Sequence, residues 1–297
     1  MSNHQCPLCH DESPAQYWPE VWNAPGRSVM YCKGCESYFL HPQLTERDQQ
    51  AFDREYDNYI ADRAKLVSQY TEETFDSLVD DSIEERFQDI AEWFESGVSV
   101  LEIGAEKGGF LDRIAPVVGE VSAVDACPEY TDILQGKGYS AYRYVWDVPA
   151  DKQYDRICLF SLLEHIPDPR PFLARLHQCL QPGGYMIIEI PSAKEPLISL
   201  YDIPAFKSFY FQSMHPYVYS VKAASLVLRE VGFEVSKVQY KQRYGLSNHL
   251  NWLKAGAPGG DACFTSLFEG AADQEYCRAL EASGHTDSVY IVATVPK

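Results

Sequence analysis

The segment Val98-Ser-Val-Leu-Glu-Ile-Gly-Ala-Glu-Lys-Gly-Gly-Phe-Leu111 determines the fold class of this 297-residue chain. Its apolar residues up to Ile103 predict a short buried strand, and the apolar spacing that begins at Phe110 predicts a helix. Two glycines, Gly104 and Gly108, fall in the turn between them. A strand, a glycine turn and a helix in this order form the nucleotide pocket of open α/β sheets, beyond the carboxyl end of the first strand. Glycine suits the turn because a Cβ would block the close approach of a ligand.

The residues inside the turn indicate what kind of nucleotide is bound. Dinucleotide sites usually carry G-x-G-x-x-G, with the pyrophosphate seated on the helix N-terminus. Here Glu106 occupies the place of the second glycine, and its carboxylate would repel a pyrophosphate. A cationic sulfonium cofactor without phosphate meets no such repulsion. The segment resembles motif I of the class I S-adenosylmethionine-dependent methyltransferases.

Later segments extend this resemblance in the order that the family requires. They are a strand ending in an acid, a buried strand, a Glu-His turn, an amphipathic helix, a glycine turn and a further strand: Val121–Asp125, Tyr154–Ser161, Leu162–Pro169, Pro171–Leu180, Gln181–Gly184 and Tyr185–Pro191. Each piece is weak alone, but the combination is specific. The resemblance covers Val98 to Val238 and favours this family over nicotinamide enzymes.

The resemblance implies both a fold and a cofactor site. The fold is α/β, a Rossmann-like seven-stranded sheet of order 3-2-1-4-5-7-6 with strand 7 antiparallel. In the site, Asp125 takes the ribose, Trp146 and Asp147 hold the adenine, and Ser161 and Leu162 line the methionine part. The expected contacts to S-adenosyl-L-methionine are Glu102, Gly104, Ala105, Gly108, Asp125, Ala126, Trp146, Asp147, Ser161 and Leu162.

Two Cys-x-x-Cys pairs near the N-terminus form a second pattern: Cys6, Cys9, Cys32 and Cys35. Four thiolates spaced in this way are typical of a structural zinc site, which keeps no open position for water or substrate. Two disulfides would need an oxidising compartment, against which the lack of a signal-like N-terminus argues. A rubredoxin-like iron site shares the pattern and stays open. The whole chain resembles sugar methyltransferases of antibiotic and surface-polysaccharide pathways, in which a cysteine ribbon precedes the methyltransferase domain.

The sequence predicts three parts: a zinc ribbon at 1–44, a helical connector at 45–96 and the methyltransferase domain at 97–297. An apolar face of helical spacing runs along the connector, formed by Ile83, Phe87, Ile90 and Phe94. The domain departs from the minimal fold in an aromatic-rich cap at 192–220 and an insertion at 242–287. A loop as long as that insertion usually carries function or oligomer contacts.

Composition narrows the classes of molecule that could accept the methyl group. The formal net charge is −18, and no cluster of Lys or Arg stands out. Nucleic-acid binding requires such side chains, so an RNA methyltransferase is the weaker alternative. A catalytically silent adaptor is a third, opposed by the intact glycine turn and Asp125. No apolar run approaches the ~18 residues of a membrane span. We therefore expect a cytoplasmic enzyme that methylates a small molecule, a nucleotide-linked sugar or glycan intermediate, with homo-oligomerisation left open.

The sequence leaves the methylated atom and the catalytic base open. A hydroxyl acceptor needs a base, a carbon acceptor needs a base and an oxyanion partner, and an amine only has to arrive neutral. Histidine is the expected base because its pKa lies nearest neutrality. We favour His215 in the cap, ahead of His165 beside Glu164 and of His249 in the insertion. Glu164 and His165 resemble a metal pair of quinone O-methyltransferases, but two ligands make a poor metal site.

Overall fold

A computed structural model describes residues 5–45, 48, 82–260, 264, 268 and 270–296. Eleven strands are described: β1 (Ala15–Trp18), β2 (Ser28–Cys32), β3 (Ser37–His41), β4 (Ser99–Ile103), β5 (Glu120–Val124), β6 (Ser140–Tyr142), β7 (Tyr154–Phe160), β8 (Leu180–Pro191), β9 (Tyr217–Val218), β10 (Glu234–Lys241) and β11 (Ser288–Thr294). The described helices are α1 (82–90), α2 (Gly109–Ile114), α3 (Pro128–Gly136), α4 (Pro169–Cys179), α5 (Pro196–Ser199), α6 (Pro204–Tyr210), α7 (Val221–Glu230), α8 (Leu246–Ala255) and α9 (Ala271–Ser283). 

The central sheet has seven strands in the order β10-β11-β8-β7-β4-β5-β6. β11 runs antiparallel to both of its neighbours, whereas the pairs from β8 to β6 are parallel. Numbered within this sheet and read from β6, the order is 3-2-1-4-5-7-6, so the predicted fold is confirmed. The chain reverses its direction of travel between β4 and β7. Ligands of open α/β sheets bind at this switch point, outside the carboxyl ends of the strands.

The inner strands are mostly apolar because both sheet faces are covered. Val100 and Leu101 of β4 are fully buried on opposite faces of the sheet and belong to two different core clusters. The apolar connector face predicted from the sequence packs on one of these clusters. Ile90 and Phe94 are buried there, and Ile83 and Phe87 lie partly buried against it. Full burial of such side chains stabilises the fold by about 1.5–3 kcal/mol each.

The N-terminal ribbon forms a second, four-stranded sheet of order β1-β2-β3-β9. Its first three strands are antiparallel neighbours in sequence, as a ribbon requires. The fourth, β9, belongs to the cap of the methyltransferase domain, and pairs Tyr217 and Val218 with Phe39 and Tyr38. The ribbon and the cap therefore share one sheet, a pairing that the sequence pattern does not predict.

Two expectations differ from the structure. The insertion at 242–287 is not a long loop, because α8 and α9 occupy much of it and contact each other. The predicted turn Gln181–Gly184 lies within β8, which begins at Leu180. Residues 49–81 of the connector lie outside the described residues. Among the helices that the structure describes, none is long and apolar enough to cross a membrane.

Candidate active site

A cleft of about 470 Å³ opens at the switch point of the central sheet. Its walls come from the carboxyl ends of β4, β5 and β7 and from the segments that follow β6 and β7. Six of the ten residues expected from the sequence to hold the cofactor line it: Gly104, Asp125, Ala126, Trp146, Ser161 and Leu162. Of the expected catalytic residues, His165 also lines it. Because Ser161, Leu162 and His165 follow one strand, one wall joins the expected cofactor contacts to a candidate base.

The glycine turn requires both of its predicted glycines. Gly104 and Gly108 have φ values of 76° and 79°, in the left-handed region that favours glycine. A Cβ on Gly104 would lie 3.3 Å from Leu162 Cδ1, and one on Gly108 would lie 2.7 Å from Leu134 Cδ2. Gly104 lines the cleft, whereas Gly108 precedes α2 and, like the buried Ala105, lies behind the cleft wall.

Asp125 directly follows β5 and is held by backbone groups on both sides. Its Oδ2 accepts a hydrogen bond from Glu106 N at 2.8 Å, and its Oδ1 accepts one from Cys127 N at 2.9 Å. Burial raises the pKa of Asp125, while the two N–H donors oppose that change. Each carboxylate oxygen can accept a further hydrogen bond. The side chain is thus fixed in orientation and retains capacity for the two ribose hydroxyls.

Glu102 is a buried acid behind the cleft. It is 4% exposed, and its Oε2 has no hydrogen-bond partner among the described residues. Burial raises its pKa to about 8, and the cation Arg86 opposes the shift. Glu102 does not line the cleft itself, so the structure places it one layer below the expected contact position. Its unpaired oxygen still offers a buried polar group beneath the glycine turn.

The raised pKa of Glu102 predicts that the folded, cofactor-free protein becomes less stable as the pH rises. The folded state keeps a proton that the unfolded state releases above about pH 4.3. The stability contributed by this proton is complete below that pH and is lost as the pH rises through about 8. We therefore expect Glu102→Gln to raise the melting temperature relative to the parent protein at pH 9, with a much smaller difference at pH 4.5.

Glu120→Gln is the matched control, because Glu120 is exposed and pairs with Lys152 at 2.7 Å. It makes the same chemical change without removing a buried acid. Thermal unfolding of the three proteins across this pH range checks the prediction. An equal effect of Glu102→Gln at pH 4.5 and pH 9 would contradict it.

Of the two expected adenine contacts, Trp146 and Asp147, Trp146 lines the cleft and Asp147 does not. They lie in a 3-10 turn, Val145–Asp147, that follows β6. Trp146 lines the cleft with 60% of its side chain exposed, and Tyr144 lines it beside Trp146. The Asp147 carboxylate instead accepts a hydrogen bond from Tyr144 N at 2.9 Å and does not line the cleft. Asp147 therefore closes the turn that presents the two aromatic rings.

Several residues of the cleft were not found from the sequence. Arg143 donates two hydrogen bonds to the carbonyl oxygen of Ala126, at 3.0 and 2.7 Å, and so fixes the residue after Asp125. In the sequence, the feature that points to Arg143 is its position directly after β6, at the carboxyl end of a strand of the sheet. The remaining lining residues include Glu106, Cys127, Tyr130, Phe160, Ile166 and Phe172. They come from loops whose approach to the cleft depends on tertiary packing.

His165 lies at the junction between the cleft and the cap. It ends the 3-10 turn Leu163–His165 after β7, and its Nδ1 is 3.0 Å from the carbonyl oxygen of Met214. A carbonyl can only accept, so Nδ1 carries the proton and Nε2 carries a lone pair. Burial lowers the pKa of His165 to about 4. The ring is therefore uncharged across the neutral pH range, with its lone pair at Nε2.

His215 and Glu164 adjoin His165. The His215 ring is 4.7 Å from the His165 ring, centroid to centroid, and nearly perpendicular to it. Glu164 is 1% exposed, and neither of its carboxylate oxygens has a hydrogen-bond partner among the described residues. Burial raises its pKa to about 8. The ligand atoms of all three side chains lie within 4.8 Å of one another, so the structure adds His215 to the pair considered from the sequence.

His249, the third candidate base, is not part of this cluster. It lies on α8 with 1% of its surface exposed, and its Nδ1 is 2.6 Å from the hydroxyl of Tyr276 on α9. It does not line the cleft. Because the insertion folds into two helices that pack together, His249 lies within the contact between these helices.

The four N-terminal cysteines converge as the sequence predicted. Cys6 and Cys35 have their sulfurs 3.7 Å apart, those of Cys9 and Cys32 are 3.5 Å apart, and all four lie within 4.8 Å of one another. These thiols are free rather than disulfide-bonded. A tetrahedral zinc ion about 2.3 Å from each sulfur would give edges of about 3.8 Å. The donor set and its spacing fit such an ion.

The two cysteine pairs adopt matching turns. His10 N donates to Cys6 O at 2.9 Å, and Glu36 N donates to Cys32 O at 2.7 Å. The residue after each pair, His10 or Glu36, has a φ near the left-handed region, at 62° and 60°. The two knuckles are therefore equivalent, and each aims both of its sulfurs at one point.

Comparison with known proteins agrees with this geometry. The methyltransferase-domain family matches residues 70–238, more than half of the chain. A ubiquinone biosynthesis O-methyltransferase of Xanthomonas oryzae pv. oryzae is 28% identical over 102 residues, which cover 31% of this chain and 43% of the relative. That of Xanthomonas euvesicatoria pv. vesicatoria is 25% identical over 156 residues, covering 48% and 65% respectively. The chain thus spans less than two thirds of the length of either relative.

Solved structures share the fold at low sequence identity. A possible histamine N-methyltransferase of Thermotoga maritima aligns with a TM-score of 0.50 at 20% identity, over 83% of this chain and 99% of that one. A putative methyltransferase in complex with the Trm112 activator of Haloferax volcanii aligns with a TM-score of 0.51 at 14% identity, over 73% and 94%. Together with the sheet order and the glycine turn, the family match shows that this chain belongs to the methyltransferase-domain family.

Proposed function

We propose that this enzyme methylates a hydroxyl group of a small polar acceptor, a nucleotide-linked sugar or glycan intermediate, with His165 as the general base. S-adenosylmethionine, when bound, supplies a methyl group already activated by a cationic sulfur. The observation that carries the proposal is the neutral His165 on the cleft wall, next to a buried Glu164 whose oxygens lack partners. This chain must then hold the acceptor in line and remove its proton.

The charge of the cleft supports a cofactor without phosphate. Two carboxylates line it, Asp125 and Glu106, and burial raises the pKa of both. Arg143 also lines it, but two of its guanidinium nitrogens bond to the carbonyl of Ala126. A pyrophosphate would lie against two acids, whereas a sulfonium and an ammonium would be attracted to them.

The residues around Glu164 support a hydroxyl-bearing acceptor. Tyr219 is fully buried and Tyr210 is half-buried with its hydroxyl inside, and neither hydroxyl has a hydrogen-bond partner among the described residues. Burial raises the pKa of both tyrosines, and the negative charge that Glu164 carries when it is ionised adds to the effect on each. Buried polar groups are nearly always paired, and exceptions mark a missing ligand or water. Two tyrosine hydroxyls and a carboxyl group suit an acceptor with several hydroxyls.

His165 is the better-placed base, although the sequence favoured His215. Its Nε2 carries the lone pair, and Ser161 and Leu162 of the same wall are the expected methionine contacts. His215 lies edge to face with it and can orient the acceptor. The O-methyltransferase relatives support oxygen as the methylated atom, and they make a phenol the second candidate acceptor.

We also propose that the four cysteines hold zinc. Their closed four-sulfur shell leaves no position for the acceptor, so the ion contributes structure and no chemical step. The ribbon around it is small, and metal binding supplies folding energy that its core cannot.

Product analysis tests the acceptor and the base together. Purified protein, S-adenosylmethionine and separate nucleotide sugars, free sugars and phenols are incubated, and mass spectrometry detects products that have gained one methyl group. We expect methylated sugar and no dependence on added divalent cations. Methylation of phenols alone would overturn the acceptor class. Loss of activity in EDTA with recovery in Mg²⁺ would assign Glu164, His165 and His215 to a cation instead of to base catalysis.

Tyr219→Phe tests the acceptor pocket. Since the variant removes one hydroxyl that would bond the acceptor, we expect the acceptor KM to rise about tenfold while the affinity for S-adenosylhomocysteine is unchanged. Tyr154→Phe is the matched control, because buried Tyr154 begins β7 at the end of the sheet opposite the cleft. An unchanged KM in Tyr219→Phe, or an equal rise in both variants, would remove Tyr219 from the pocket.

A further inference from the structure

We propose that the cysteine ribbon positions the catalytic histidines, and that Ser37 is a positioning residue through which the metal knuckle holds the segment Phe211–Ser220. This inference rests on the proposed roles of His165 and His215. It goes beyond them by giving the N-terminal metal a function in the acceptor half of the site, separate from cofactor binding. We call Phe211–Ser220 the histidine segment.

The ribbon holds the histidine segment on both sides of His215. Before it, Trp22 N donates to Phe211 O at 2.8 Å, and Ser213 N donates to Trp22 O at 3.0 Å. After it, Leu40 N donates to Pro216 O at 3.0 Å, and the segment then pairs with β3 as strand β9. His215 therefore lies in a short bend whose two ends are fixed to the same small sheet.

Ser37 connects this segment to a metal knuckle. Its Oγ accepts a hydrogen bond from Ser220 N at 2.8 Å, and Ser220 Oγ donates to the carbonyl oxygen of Cys35. Ser220 Oγ also accepts from Ala223 N at 3.0 Å at the start of α7. Ser37 is fully buried and Ser220 nearly so, so water cannot readily replace these bonds. The end of the histidine segment is thereby fixed relative to one of the four cysteines.

The other knuckle is attached to the His165 side. Arg170, at the start of α4, donates to Pro7 O at 3.0 Å and to Leu8 O at 2.7 Å, between the first two cysteines. Tyr217 Oη donates to Pro167 O at 2.8 Å, which joins the histidine segment to the same loop. Both knuckles are therefore linked within a few residues of one of the two histidines.

Met214, within the histidine segment, connects these contacts to the proposed base His165. Its carbonyl oxygen accepts a hydrogen bond from Nδ1–H of His165 and so selects the tautomer with the lone pair at Nε2. If the ribbon loosens, the position of that carbonyl is no longer fixed. The cofactor half has its own support: Gly104 N donates to Val124 O at 2.8 Å, and Asp125 is held by Glu106 N and Cys127 N. Loss of the metal is therefore expected to loosen the acceptor half of the site, formed by His165 and the histidine segment, and to leave the cofactor half in place.

Hydrogen exchange detected by mass spectrometry tests this without an acceptor. The full-length protein is compared as isolated with zinc and after zinc is removed by a chelator, and calorimetry gives its affinity for S-adenosylhomocysteine. We expect faster exchange in 211–220 and in 165–170, unchanged exchange in 98–126, and an affinity that changes by less than about twofold. Continued protection of 211–220 after metal loss would overturn the proposal. Equal loss of protection in 98–126 would also overturn it, because it would mean general unfolding.

Ser37→Ala gives a second readout. We expect about a tenfold fall in kcat, as for the loss of one hydrogen bond, with faster exchange in 211–220 and unchanged affinity for S-adenosylhomocysteine. Ser28→Ala is the matched control, since Ser28 begins β2 and pairs with His41 at the far end of β3. An unchanged kcat and unchanged exchange in Ser37→Ala, or equal losses in the control, would overturn the role of Ser37. The exchange result stands even if the acceptor class is wrong, so the two proposals fail separately.

Discussion

Asp125→Ala is expected to raise the dissociation constant of S-adenosylmethionine at least about 100-fold, because hydrogen bonds to a charged group contribute about 1.5–3 kcal/mol each and two to the ribose would be lost. The variant has a second effect on the site itself. Glu106 N and Cys127 N lose the acceptor that now fixes the loops on either side of the cleft. Both effects act on cofactor binding, so the loss should appear in affinity before any catalytic step.

Isothermal titration calorimetry with S-adenosylmethionine and S-adenosylhomocysteine measures this effect. Asp132→Asn is the matched control: it removes one acid from the exposed face of α3, a few residues away, without touching the cleft. Asp125→Asn should fall between the control and Asp125→Ala, because an amide oxygen can still accept while the charge is lost. Affinity of Asp125→Ala within tenfold of the parent would contradict the assignment of Asp125 as the ribose ligand.

The cofactor half of the site could be predicted from sequence because its parts are local. The glycine turn directly follows β4, Asp125 directly follows β5, and Ser161 and Leu162 directly follow β7. The sheet order then brings the carboxyl ends of these strands together. Residue identity and strand order therefore suffice for this wall. Asp147 shows the limit, since its carboxylate closes a turn instead of lining the cleft, and only the structure reveals that Tyr144 lines the cleft beside Trp146.

The acceptor half depends on contacts between distant parts of the chain. His165 and His215 are adjacent because β9 joins the ribbon sheet and the carbonyl oxygen of Met214 accepts a hydrogen bond from His165. A two-residue strand such as β9 has too short a pattern to predict its partner. His249 illustrates the converse. Its polar and aromatic surroundings suggested a binding role, but they satisfy a contact between α8 and α9.

Removal of the His165 side chain should affect the chemical step. A general base contributes about 10²- to 10⁴-fold, so we expect His165→Ala to lower kcat by that range with little change in the affinity for S-adenosylmethionine. The lone pair is present whenever the ring is neutral. Burial lowers the pKa of His165 to about 4, so activity of the parent enzyme should persist to about pH 5 and fall through about pH 4. An ordinary histidine would lose activity nearer pH 6.5.

The neighbouring groups support this direction of the pH dependence and also provide its controls. Burial raises the pKa of Glu164 to about 8, so at neutral pH it is uncharged and does not favour a cationic His165. Kinetics of the parent, His165→Ala and His215→Ala from pH 4 to 9 separate the two histidines, and His285→Ala controls for loss of an imidazole outside the cleft. A larger fall in kcat for His215→Ala than for His165→Ala would transfer the base to His215. An acid limb near pH 6.5 would contradict the lowered pKa described for His165.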